Sequence, residues 1–194
     1  MPGPWPSDHS GSGAWALSWP RYRSRSAAAP PAAGVIRRRH VNRAELIEHY
    51  RTGIADLADA LAGITDEELD RPQEGGEWTA RQIVHHLADG EAMSFTRLRR
   101  LVADDQPVIQ GYDEPVFAQR LHYERPIDTS LAVVAAVRAS SLELMGVMTP
   151  EDWAKVGTHS EHPRYSVDLW LEIYAGHVHD HADQIRRARA AARV

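Results

Sequence analysis

Four stretches of this chain repeat apolar residues at intervals of three and four, and nothing of comparable length alternates with the period of two that a strand needs. Leu46, Tyr50, Ile54, Leu57, Leu61 and Ile64 form the first stripe. Ile83, His86, Leu87, Gly90, Ser94, Leu98 and Leu101 form the second, and Leu131, Val134, Val137, Leu142, Met145 and Met148 the third. Leu169, Ile173, His177, His181, Gln184 and Ala188 form the fourth. Residues at these spacings lie on one face of a helix, and four such faces bury one another most simply as a bundle. The expected fold class is therefore all-α, a four-helix bundle.

Local signals set the boundaries. Helix 1 starts near Asn42 and ends near Gly63. Thr65-Asp66-Glu67-Glu68 reads as a capping box opening a short turn before Pro72. A Gly-rich loop, 74–77, leads to Trp78 and a second helix from about Thr79 to Ala103. Residues 104–126 carry Pro107, Gly111, Pro115 and Pro126, which predicts a long crossover with one short helix around Val116–Tyr123. Asp128 or Thr129 is placed to cap helix 3, and Pro150 to close it. A polar loop with His159, His162 and Pro163 follows, and Ser166 can cap helix 4, which runs to about Ala190.

At 194 residues the chain is long enough for one domain, assigned to 41–192, plus an appendage. Residues 1–40 are rich in Pro, Gly, Ser, Ala and Arg without a sustained apolar period, and are read as a disordered extension. Their arginine-rich, acid-poor composition resembles a transit peptide, but an early start codon gives the same look; a secretory signal is not expected. No apolar run approaches the roughly 20 residues of a membrane span, so the expectation is a cytoplasmic protein without a membrane partner. Six arginines stand against Asp8 in residues 1–39, so the rest of the chain carries an excess of about ten acidic charges. No nucleic-acid partner is expected for such a body, although the arginine-bearing tail alone could touch a polyanion. The absence of cysteine excludes disulfides, thiolate-bound zinc and a catalytic thiol supplied by the chain.

Chemistry concentrates in the histidines. His177 and His181 are four apart, so both rings project from one side of helix 4 and can reach a single ion. His86 can bring a third nitrogen from helix 2. Three protein ligands and an open position describe a reactive site rather than a closed structural one. The competing readings, a solvated pair on helix 4 and a satisfied core histidine at 86, are disfavoured by the apolar stripe that carries the pair. His85 points about 100° away from His86 and is expected to be exposed or to support a ligand. His179 falls on the wrong side of its helix and is given no metal role. Asp89, Asp180, Asp183 and Gln184 could orient ligand rings, since a metal-bound imidazole normally donates its other N–H. Trp78 and Trp170 read as packing residues.

The ordered set of Trp78, His86-Leu87-Ala88-Asp89, Tyr112-Asp113-Glu114, His162-Pro163 and HxxxHxxQI within Tyr174–Ile185 resembles the DinB-like superfamily, in particular the YfiT-like metal-dependent hydrolases and the bacillithiol transferases. The resemblance covers about residues 42–190. It implies a four-helix bundle with a long crossover and a divalent metal, zinc or nickel by analogy, held by His86, His177 and His181. It also implies that a low-molecular-weight thiol can serve as co-substrate and that a homodimer can form; Tyr112, Asp113 and Glu114 either line the mouth of the site from the crossover or make an ordinary turn. This chain departs from the pattern at Asp180, where many relatives carry a histidine next to the last ligand. The function expected is metal-assisted activation of water or a small-molecule thiol for attack on a small electrophile. A non-catalytic metal- or ligand-binding stress protein is the alternative.

Overall fold

The computed structural model describes residues 42–190, so the proposed disordered extension 1–40 lies outside the described residues. Helix α1 (Arg43–Leu61) begins where Asn42 accepts a hydrogen bond from the Ala44 amide, and Gly63 follows its end with φ 63°. Thr65 and Glu68 close the capping box of the short α2 (Asp66–Leu69). A single 3-10 turn, Glu74–Gly76, leads to α3 (Ala80–Ala103), where Thr79 and Gln82 form a second capping box. Reciprocal caps of this kind fix a helix start, here two turns before the first candidate ligand.

The crossover contains the two-residue β1 (Val108–Ile109) and α4 (Glu114–Arg120), started by Asp113, whose carboxylate accepts from the Val116 amide. Helix α5 (Asp128–Val147) has Ile127 as its N-cap and no side-chain cap, so neither Asp128 nor Thr129 caps it. Pro150 opens the short α6 (Pro150–Trp153) behind a Thr149–Asp152 capping box. Helix α7 (Val167–Ala190) follows, with Ser166 Oγ accepting from the Leu169 amide.

The loop expected around His159 and His162 is instead a hairpin, β2 (Val156–His159) and β3 (His162–Ser166), antiparallel with Gly157 opposite Tyr165. β1 joins β2 in parallel, Val108 opposite Thr158. Segments this short show too few positions for a period of two to be read, and one of the three strands is completed from 50 residues upstream. Position 157 must be glycine for this join. A Cβ there would sit 2.5 Å from the Pro107 carbonyl oxygen.

α1 packs chiefly on α7, and α3 lies between α5 and α7. One apolar cluster gathers Tyr50, Leu98, Met145, Trp170, Leu171 and Tyr174 toward the sheet end. The other gathers Leu57, Ile83, Leu87, Val134, Val178 and Ile185 toward the opposite end. The fourth stripe is rotated from its expected line, since Ile173 is 38% exposed while Trp170, Tyr174, Val178, Ala182 and Ile185 are buried. Helix α5 is long and apolar enough to cross a membrane by length and composition, contrary to the expectation from runs alone. In the bundle it turns Val134, Arg138, Ser141 and Met145 inward against α3.

One buried ion pair joins all four long helices. Arg138 of α5 donates from Nη1 to Glu91 Oε1 of α3 at 2.8 Å and to the Tyr174 carbonyl of α7 at 3.3 Å. Its Nη2 donates to the Tyr50 carbonyl of α1, and the guanidinium lies 3.6 Å from the Tyr50 ring centroid. Glu91 and Arg138 are 0% and 1% exposed. Separating them would leave an uncompensated charge in the core.

Candidate metal centre

His86, His177 and His181 each offer a ring nitrogen, and these three atoms lie within 4.8 Å of one another. Spacing on α7 accounts for two of them, and the α3–α7 contact delivers the third from 91 positions upstream of His177. The rings meet edge to face, with centroids 4.8 Å apart for His86 and His181, 5.6 Å for His86 and His177, and 5.0 Å for the α7 pair.

Two of the rings are already oriented by bonds at the far nitrogen. His177 Nδ1 lies 2.9 Å from Glu91 Oε1, and His181 Nδ1 lies 2.9 Å from Gln184 Oε1. Both oxygens only accept, so each Nδ1 carries the proton and each Nε2 keeps its lone pair free for an ion. His86 packs against Trp78, ring centroids 4.6 Å apart, and its buried Nδ1 has no hydrogen-bond partner. Burial, with His181 and His177 beside it, holds the His86 pKa well below its ordinary value. Burial and the neighbouring His177 push His181 down to about 3, against the opposing bond to Gln184. Neutral imidazoles are the form that binds a cation, so the donor set suits a divalent transition-metal ion.

Gly90 makes the approach of α7 possible. A Cβ at 90 would lie 3.0 Å from His177 Cε1, 3.3 Å from Tyr112 Oη and 3.6 Å from His177 Nε2. Any larger residue would press on the ring and on Tyr112.

The expected supporting residues divide. Gln184 touches a ligand ring, and Tyr112 reaches the site beside Gly90. Glu114 lies half-buried nearby; burial raises its pKa while His177 opposes the shift. Asp113 is exposed and serves as the α4 cap. Asp89 accepts from Tyr123 Oη at 2.6 Å, Asp183 pairs with Arg186 at the surface, and Asp180 is exposed, so none of the three orients a ligand ring.

His85 is not exposed and touches no ligand. Its ring is buried between α3, α5 and the crossover, with Nδ1 2.8 Å from Ser130 Oγ and Nε2 2.8 Å from the Arg125 carbonyl. The 100° offset from His86 points its ring toward a covering segment rather than to solvent. His179 stays away from the ion site. It stacks on His49 at 4.0 Å and meets Asp56 at 2.6 Å, binding α7 to α1. His162 lies beside His159 and Tyr165 on the hairpin, outside the three-histidine group. Trp170 is core, with Nε1 donating to the Ser94 carbonyl, whereas Trp78 also supports a ligand ring.

Glu91 is the residue the sequence reading missed. Its stripe, Leu87, Glu91, Ser94 and Leu98, places a carboxylate among core positions, which is the local sign of a buried pair. Arg138 shows the same sign between Val134, Ser141 and Met145.

The sequence profile of the DinB superfamily matches residues 49–185. A protein of Oceanobacillus iheyensis named "Putative metal-dependent hydrolase" is 32% identical over 129 residues, covering 66% of this chain and 75% of its own. One of the same name from Geobacillus thermodenitrificans is 31% identical over 156 residues, covering 76% and 86%. Among solved structures, Bacillus subtilis YfiT, described as a probable metal-dependent hydrolase with an unusual four-helix bundle topology, superposes with a TM-score of 0.72 at 24% identity. That match covers 84% of this chain and 93% of YfiT, and it extends the likeness to the fold. With a profile spanning most of the described helices and relatives above 30% identity, this chain belongs to the DinB superfamily.

Proposed function

We propose that this protein is a metal-dependent enzyme of the hydrolase or thiol S-transferase type, with His86, His177 and His181 as its metal ligands. The observation that carries the reading is the convergence of three ring nitrogens within 4.8 Å, two of them with Nδ1 committed to Glu91 and Gln184. The names of the relatives point the same way. A dication held by three neutral imidazoles keeps its full charge and acidifies a water or thiol toward neutral pH.

The chain's own residues set the rest of the reaction. Glu91, itself held by Arg138, fixes the His177 ring and its proton on Nδ1. Trp78 and the apolar wall of α3 keep water from the back of His86. Tyr112 and Glu114, carried by the crossover, stand on the substrate side, where burial keeps the Tyr112 phenol protonated and raises the Glu114 pKa. Glu114 can take up the proton released by the attacking group, and Tyr112 can donate to a developing oxyanion. The substrate class is a small electrophile, an ester or amide when water attacks and an alkylating agent when a small thiol does, in a cytoplasmic setting.

The test is elemental analysis of the protein beside a His177→Ala, His181→Ala variant, followed by turnover of model esters and electrophiles with and without added thiol. About one zinc or nickel per chain, lost in the variant, and turnover that follows metal content are expected. A metal content equal in the two proteins would overturn the assignment of the ligands.

A further inference from the structure

Beside the three histidines lies a group of hydrogen-bond donors around an arginine whose guanidinium bonds a phenol and a carbonyl. Tyr174 sits one turn before His177 on α7, and the two rings meet edge to face with centroids 5.6 Å apart. Arg97 of α3 donates from Nη1 to Tyr174 Oη at 2.7 Å and from Nη2 to the Gln110 carbonyl at 3.2 Å. Among the described residues it forms no ion pair with any carboxylate. Arg81, Arg138, Arg186 and Arg189 each have one, and Arg99 stacks on Phe95 and donates to Ser140.

The hairpin adds two donors. His159 Nδ1 accepts from the Glu161 amide at 3.1 Å, so the neutral ring carries its proton on Nε2, and that buried nitrogen has no partner. Tyr165 Oη is also buried and makes no hydrogen bond of regular geometry, although Arg97 and Tyr174 lie within bonding reach of it. Tyr174 Oη, already accepting from Arg97, has its own proton to give. Tyr165 and His159 are 1% and 7% exposed, and a buried donor with nothing to bond costs the desolvation of that group. One guanidinium and three neutral N–H and O–H groups match one monoanion. Glu114 and Glu161 lie near enough to interact with this group by charge, and neither pairs with Arg97.

We propose that the substrate of this site carries a carboxylate, which docks on Arg97 with Tyr165, Tyr174 and His159 while its reactive end faces His86, His177 and His181. This deepens the enzyme reading and rests on it for the second half of the statement. Arg97 lies seven residues beyond Gly90 on α3, about 10 Å along the helix, so the carboxylate and the reacting bond are separated by several atoms. The subsite selects substrates by charge, and Arg97 is a binding residue rather than a ligand of the ion.

The experiment titrates the metal-free full chain with N-acetylglycine and with the neutral N-acetylglycinamide, by calorimetry and by NMR of the arginine side chains. The carboxylate is expected to bind about tenfold or more tightly than the amide, as for a charge-assisted hydrogen-bonded pair. Arg97→Met should abolish that preference, Arg97→Lys should keep part of it, and Tyr165→Phe should weaken carboxylate binding about tenfold. Arg187→Met, which removes an exposed positive charge elsewhere on α7, should leave binding unchanged. Equal binding of the two probes, tighter binding of inorganic phosphate than of the carboxylate, or an Arg97→Met protein that retains the preference would each overturn the proposal. Since metal is absent throughout and metal content is measured separately, failure here and failure of the ligand assignment are distinguishable.

Discussion

Replacing Gly90 with alanine should separate metal affinity from fold stability. The added methyl would meet His177 Cε1 at 3.0 Å and Tyr112 Oη at 3.3 Å, against an ordinary carbon contact of about 3.5–4.0 Å. Tyr112 is carried by the crossover and can retreat. His177 is held by Glu91, so its ring must give by a few tenths of an ångström or give up that bond. Metal–ligand distances in working sites hold to about 0.2 Å, so such a displacement should weaken metal binding on the order of 10–100-fold. That range corresponds to about 1.4–2.8 kcal/mol of lost binding free energy.

Stability of the metal-free protein should respond differently. Alanine gains about 1 kcal/mol in helix propensity over glycine and overpacking costs roughly 1–3 kcal/mol, so the net loss is about 0–2 kcal/mol. The assay is urea unfolding of the metal-free protein together with competition titration of zinc against a chelator. A Gly90→Ala protein that binds zinc as tightly as the parent would refute the argument, because the ring would then not depend on the missing Cβ. A loss above about 4 kcal/mol in the metal-free protein would refute it from the other side, showing that the helix packing had been disturbed.

Glu91→Gln keeps the shape of the side chain but removes its charge; leaving Arg138 buried and uncompensated should cost about 3–5 kcal/mol of stability, and a matched Arg138→Met, Glu91→Leu pair should recover most of it in chemical denaturation. Gln184→Leu removes the acceptor of His181 Nδ1 and should reduce zinc affinity about 10–100-fold with little change in metal-free stability, as measured by chelator competition and thermal melting. Metal-free stability should fall as pH drops from about 6.5 toward 3. The unfolded chain then protonates histidines that stay neutral in the native state, each adding about a tenfold factor per pH unit to the unfolding constant, with no such slope above 6.5. A His181→Asn variant whose slope between pH 6 and 4 equals that of the parent would contradict this assignment.

The four long helices, their starts at Asn42, Thr79 and Ser166, and the pairing of His177 with His181 could all be read from residues within a turn or two of each other. Capping chemistry and the 3.6-residue period act over that distance, so the local pattern contains the answer. Gln184 as partner of His181 is of the same kind, three residues along one helix. Asp89, Asp180 and Asp183 have spacings as favourable, yet they bond Tyr123, face solvent and pair with Arg186. Spacing names the residues that can reach a ring, and neighbouring elements decide which of them do.

Sequence alone therefore determined the helical class, the bundle and three histidines able to face one ion, because those depend on periodicity and on residue type. Tertiary structure decided what supports them. Glu91 and Arg138 meet across 47 positions, and β1 returns from about 50 residues upstream to pair with β2 of the hairpin. His85 is buried only because residues 123–130 close over it, and Gly90 matters only because α7 crosses there. Contacts of this kind depend on where distant segments are placed when the apolar faces bury one another, and no local pattern records that placement.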